Sequence, residues 1–152
     1  MATDAIRQPN RSGYLDMTSE KPDETQAAKF PHLRDTVRTI ANTAPTVDYI
    51  SVLESEPHAA APGLTIKYVP DKLILTSQSF DDYTAAFRSV AFDSLEDFAI
   101  TVLSDINNEV VPRWCQIVVW RHREGSANRC VVVEDRQPNW DNPALLSRIA
   151  PV

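Results

Sequence analysis

The stretch LTIKYVPDKLILTSQSFDDYTAAFRSVAFDSLEDFAITVLSDINNEV, residues 64–110, decides how the chain is read. Leu64, Ile66 and Tyr68 alternate with Thr65 and Lys67, the period of a strand buried on one face. Pro70 and Asp71 start a tight turn, because proline presets the backbone angle of the second turn position. Residues 72–77 then predict a second strand, so the two form a hairpin. Ser79 has the chemistry of a helix N-cap, with Asp81 and Asp82 in the first turn, where negative charge suits the helix dipole. Phe80, Tyr83, Phe87 and Val90 follow a helical stripe. A second helix from Asp93 or Ser94 carries Leu95, Phe98, Val102, Ile106 and Val110 on one face, and Pro112 stops it.

Working outward, residues 46–53 (TVDYISVL) are rich in β-branched and aromatic side chains and predict a strand. Residues 54–62 (ESEPHAAAP) are a loop. Residues 32–41 place Leu33, Val37 and Ile40 on one helical face, which predicts a short helix ended by Pro45. Downstream, residues 114–120 (WCQIVVW) and 129–134 (RCVVVE) predict a hairpin across EGSAN, and a short helix is expected around residues 144–149. The expected order is three strands, two helices and two strands: an α+β chain with an antiparallel sheet and helices on one face. The exposed edges of so small a sheet predict a homo-oligomer. The domain spans residues 31–134. Residues 1–30 lack apolar periodicity and read as a mobile N-terminal arm, and residues 135–152 as a C-terminal tail.

The 152 residues fit one domain that buries roughly 68–70 % of its unfolded surface. The net charge of −6 argues against a nucleic-acid surface, which needs cations to replace phosphate counterions. Cys115 and Cys130 have no CxxC spacing and no paired histidines, so no metal site is expected and both read as inert thiols. No apolar run reaches membrane-spanning length and no apolar leader segment is visible, so the expectation is a cytoplasmic protein without a membrane partner. Three scattered glycines form no phosphate-binding loop, and no Gly-x-Ser-x-Gly or HExxH pattern occurs.

The segment YVPDKLILTSQSFDDYTAAFR resembles the nitrile reductases of queuosine biosynthesis, the 7-cyano-7-deazaguanine reductase family. The anchors are residues 68–72 (YVPDK), Ser77, Ser79, Tyr83, Phe87-Arg88, Glu96-Asp97 and Pro112-Arg113-Trp114. The resemblance implies a tunnelling fold (T-fold), assembled into rings with sites between subunits. It also implies that Glu96 holds the amidine-like edge of a deazaguanine base.

The family's chemistry does not transfer residue by residue. Its nucleophilic cysteine aligns with Leu53, its proton-donating aspartate with Ala60, and the histidine before its substrate-binding glutamate with Leu95. Its cofactor-binding lysines align with Gln78 and Asp81, so phosphates would meet an amide and a carboxylate, and no cofactor is expected.

Among individual residues, Glu96 is the leading candidate: a helix carboxylate accepts two parallel N–H bonds from a guanidine-like edge. The bland reading is a helix-terminal charge. Glu54, Glu56 and His58 put two carboxylates and an imidazole into one short loop, the makings of general acid–base chemistry, against the alternative of a merely polar loop. Arg88 either clamps an anion at a subunit boundary or pairs with a neighbouring acid. Asp97, His32 and His122 read as surface groups, and Trp114, Trp120 and Trp140 as core or interface.

Three functions follow. The first is a repurposed enzyme that binds a nitrogen-rich small molecule (purine, deazapurine, pterin or guanidine-like) and carries out cyclisation, hydration or elimination without a covalent step. The second is a catalytically inactive relative acting as a binding or partner subunit. The third is a reductase with a displaced thiol.

Overall fold

The structure is a computed structural model that describes residues 31–58 and 61–149; the expected arm, residues 1–30, lies outside the described residues. Four strands form an antiparallel sheet: β2 (Ser51–Ser55), β3 (Gly63–Val69), β5 (Trp114–Arg121) and β6 (Arg129–Arg136), in the order β2-β3-β5-β6. A separate two-stranded sheet pairs β1 (Thr39–Ala41) with β4 (Leu73–Leu75). The helices are α1 (Pro31–Arg34), α2 (Ser77–Ala86), α3 (Leu95–Glu109) and α4 (Pro143–Leu146), with a 3-10 turn at Phe87–Ser89 between α2 and α3. The mixed α+β class with an antiparallel sheet is as the sequence predicts.

One face of the sheet is apolar because alternate residues point the same way. Leu64, Ile66 and Tyr68 of β3, with Cys115, Ile117 and Val119 of β5, are buried under Phe98, Ala99, Val102 and Ile106 of α3. The α3 stripe read from the sequence is therefore the core-facing side of that helix. Ser94 caps it, accepting a hydrogen bond from the Asp97 amide at 3.0 Å.

Four expectations are corrected. β3 and β4 are not a hairpin. Both sides of β3 are already taken by β2 and β5, so β4 has no free edge of β3 to join and pairs with β1 instead. The first hairpin is β2–β3. The expected helix over 32–41 is limited to one turn, after which residues 39–41 are extended. Thr39 and Ile40 are β-branched, and the exposed edge of β4 gives them a ladder partner. β2 begins at Ser51 rather than Thr46, because residues 44–49 are held in a turn: the Val47 amide bonds the Ala44 carbonyl, and Tyr49 donates to Asn42. Finally, α2 starts a turn before the expected cap. Thr76 is the N-cap, accepting from the Ser79 amide, while the Ser79 hydroxyl is buried between the Arg38 amide and the Thr36 carbonyl. Asp81 and Asp82 thus lie beyond the first turn.

A polar network ties residues 45–48 to Asp71, Arg113 and residues 140–142. Arg113 donates to Asp48 at 2.7 Å, to Asp71 at 3.1 Å and to the Pro45 carbonyl. The second oxygen of Asp48 accepts from the Trp140 indole at 3.1 Å and the Asn142 amide at 3.0 Å. The segment expected as a tail is therefore fastened to the start of the sheet. A second buried polar contact lies under α3, where the Tyr83 hydroxyl donates to Asp105 at 2.7 Å. Burial raises both pKa values, and for Asp105 the Tyr83 bond opposes that rise.

Gly63 sits directly opposite Trp120 in the β3–β5 register. A Cβ added there would lie 2.3 Å from Trp120 Cε2. The obstruction is a rigid ring, so relief requires the whole indole to move. Gly63→Ala should therefore destabilise the fold by about 1–3 kcal/mol, the range for forced overpacking. A urea titration followed by tryptophan fluorescence measures it, and an unchanged midpoint would mean that the indole yields freely.

Candidate functional site

A large cavity, about 460 Å³, opens where the 3-10 turn, the 90–94 connection and the first turn of α3 meet Ala61, Pro62 and the end of β5. Its size is within the range of small-molecule sites, roughly 300–1,000 Å³. The apolar part is an aromatic cluster. Phe87 meets Phe98 edge-on at a centroid distance of 4.6 Å, and Phe92 meets Phe98 at 4.7 Å. Arg88, Asp93, Ser94 and Arg121 supply the charged and polar lining. The cavity exists because Val90, in extended backbone, ends the 3-10 turn, and the chain reaches the Ser94 cap without regular structure, leaving space over the rings.

A smaller pocket, about 30 Å³, shares Ala61, Pro62, Phe87 and Arg88 with the large cavity and adds Glu56 and His58. The loop bearing them is pinned by reciprocal backbone bonds: His58 N–H to the Ala61 carbonyl at 3.2 Å and Ala61 N–H to the His58 carbonyl at 2.9 Å. An imidazole and a carboxylate thus flank the wall that Arg88 shares with the larger space.

The other expected residues are distributed differently. Glu54 is paired with Thr65 on the sheet face away from α3, where it lines a third cavity of about 250 Å³ with Lys67, Val118, Trp120 and Cys130. It is therefore separated by the sheet from His58 and Glu56. Glu96 follows Ser94 and Leu95, which line the large cavity, but is not itself part of that lining. Its carboxylate forms an ion pair with Arg129. Its own backbone amide, foremost, and the Arg129 charge hold its pKa below its ordinary value, while desolvation opposes them. Glu96 thus lies in the first turn of α3 with an ion-pair partner among the described residues.

The two thiols lie elsewhere. Cys115 is buried against α3, where desolvation pushes its pKa far up and leaves it protonated. Cys130 is on the opposite sheet face. Leu53, at the position of the resembled family's nucleophile, packs against the core, and Leu95, at its histidine, is a buried wall of the large cavity.

Phe92 and Arg121 were not singled out from sequence. Phe92 follows no helical or strand period, and Arg121 lies in the RHRE run that reads as a surface turn. Spatial convergence of the 61–62 loop, the 90–94 connection and the β5 end gives them their place.

These features define an α+β chain built on the two-hairpin, two-helix plan, with its principal cavity at the start of the second long helix. The chain belongs to the QueF-like protein family, whose family model matches residues 61–140. It is also 28 % identical over 116 residues to the NADPH-dependent 7-cyano-7-deazaguanine reductase of Syntrophus aciditrophicus (strain SB), a match covering 70 % of this chain and 82 % of that relative. The antiparallel sheet and helical pair fit the tunnelling fold of such proteins.

The start of α2, the segment that the resemblance aligns with cofactor-binding lysines, is acidic here: its first two turns present Gln78, Asp81 and Asp82, and the Gln78 amide donates to Asp82 at 3.1 Å. Among the described residues, no helix is long and apolar enough to cross a membrane.

Proposed function

We propose that this QueF-like chain binds a nitrogen-rich small molecule of the purine, deazapurine or pterin type in the large cavity. It acts on that molecule by noncovalent acid–base chemistry, with His58 and Glu56 exchanging protons across the wall they share with Arg88. Cyclisation, hydration or elimination are the reactions such a pair performs. The observation that carries this reading is the junction of the two cavities: it brings an imidazole and a carboxylate to the ligand space, and neither cavity contains a thiol. In the same reading a homo-oligomer closes the open side of the site, supported by the two sheet edges, β2 and β6, that have no strand partner among the described residues.

A second reading, a catalytically inactive binding subunit, is favoured by one observation: the carboxylate expected to hold the base is already paired with Arg129.

A thermal-shift panel of 7-cyano-7-deazaguanine, guanine, a pterin, arginine and NADPH tests both. A specific base should stabilise the fold by about 2.7 kcal/mol at a hundred times its dissociation constant, and NADPH should not shift the midpoint. For the enzyme, His58→Ala or Glu56→Gln should lower turnover of that base about a hundredfold, the lower end of general acid–base contributions, while leaving the shift intact. A ligand that stabilises the chain but is never turned over supports the inactive subunit. Consumption of NADPH with the nitrile would overturn both readings.

A further inference from the structure

Among the described residues, the lining of the large cavity is cationic in a chain whose net charge is −6. Of these lining residues, two carry guanidinium groups, Arg88 and Arg121, and one a carboxylate, Asp93. Arg121 and Asp93 are each engaged by other groups. Arg88 has no ion pair with any described residue, and it stands where the two cavities meet. A local reversal of sign inside a concave, partly apolar wall concentrates anions against the overall field of the molecule. The edge-on cluster of Phe87, Phe92 and Phe98 gives the cavity an apolar aromatic wall, and a guanidinium recognises a planar carboxylate or a phosphate by parallel N–H bonds. Glu96, the group suited to a cationic or amidine edge, is turned to Arg129 and contributes nothing to this lining.

We propose that the ligand of the large cavity is a heteroaromatic acid, its ring against the phenylalanine cluster and its anionic oxygens on Arg88, with Arg121 as the second cation at the rim. This rests on the cavity reading above and specifies its ligand class. A neutral base is then the weaker ligand. The acid group also lies beside the pocket of His58 and Glu56, so it fixes which part of the ring system faces the proton-transfer groups.

Titration calorimetry of the full chain separates the possibilities. The probes are 7-deazaguanine-7-carboxylate, the corresponding 7-carboxamide and guanosine 5′-monophosphate, each against wild type, Arg88→Gln and Ala91→Trp; the last fills the cavity from an exposed lining position. The expected result is that an anionic probe binds wild type at least tenfold tighter than the amide. Arg88→Gln should remove that preference, weakening the anionic probe at least tenfold more than the amide. A preference confined to the carboxylate or to the monophosphate identifies which oxyanion the site takes. Equal binding of acid and amide, both lost in Ala91→Trp, or a preference that survives Arg88→Gln, overturns the anion inference and leaves the cavity reading intact. Absence of binding by all three probes overturns both.

Discussion

Replacing Phe98 by alanine is expected to destabilise the fold by about 3–5 kcal/mol, the usual cost of deleting a buried phenylalanine. Phe98 is 1 % exposed and joins α3 to two parts of the molecule at once. On the 3-10 turn it meets Phe87, and on the connection it meets Phe92. Its loss removes apolar area and two edge-to-face contacts, and the space left behind opens into the existing cavity rather than collapsing. At roughly 2–4 °C per kcal/mol for a chain of about 150 residues, the melting midpoint should fall by about 10 °C. Calorimetry of Phe98→Ala and Phe98→Leu measures this. Phe98→Leu refills most of the volume and should recover more than half of the stability, while still removing one ring of the cavity's aromatic wall. A loss below about 1 kcal/mol in Phe98→Ala would show that the neighbouring rings repack, against the cavity term expected for a rigid core.

The second large effect is expected at Asp48. Its two oxygens accept from Arg113, Trp140 and Asn142, three donors drawn from distant parts of the sequence. Hydrogen bonds to a charged acceptor contribute about 1.5–3 kcal/mol each when considered singly. Because they share one carboxylate that is partly open to water, their sum is smaller, and Asp48→Ala should cost about 3 kcal/mol. The Asn142 amide, then Arg113 and Trp140, hold the Asp48 pKa below its ordinary value against the opposing effect of burial. The sign follows from that direction. The native state favours the ionised form, so the stabilisation is complete above the unfolded value of about 3.9 and is lost as pH falls through the lower folded value. Wild type and Asp48→Ala should therefore differ fully at neutral pH and converge in acid. Denaturant midpoints measured from pH 7 downward check this, and a difference independent of pH would assign the effect to packing instead of charge.

Much of the fold was legible because its signals are local. The alternation through Leu64, Ile66 and Tyr68 and the stripe from Leu95 to Val110 each report the face on which a single element is buried. Pairing is not local, and there the reading failed. The turn at Pro70-Asp71 has every residue a hairpin needs, yet β3 is saturated by β2 and β5, and β5 lies 45 residues or more further along the sequence. Residues 32–41 failed for the same reason, since the edge of β4 recruits Thr39 and Ile40 out of a helical pattern. For the candidate site, loop composition correctly marked 54–58 as rich in titratable groups. It did not reveal that strand alternation sends Glu54 to one face of the sheet, while Glu56 and His58, beyond the end of β2, line a pocket on the other side. Arg129 was invisible as the partner of Glu96, because the two are 33 residues apart and meet only when β6 lies beside α3.

The network around Asp48 also bears on the lifetime of the folded molecule. Asn142 and Trp140 are 94 and 92 residues from the carboxylate they bind, and Arg113 is 65 residues away. Contacts spanning so much chain must wait for its closure, whose entropy cost grows with loop length. The β5–β6 hairpin and α3 close over short distances and have no such delay. Interactions made after the folding barrier leave the rate of folding nearly unchanged and slow the rate of unfolding. The segment at 137–142 is therefore expected to act as a late-closing clasp, so that substitutions at Trp140 or Asn142 speed unfolding more than they slow folding, as stopped-flow kinetics would read.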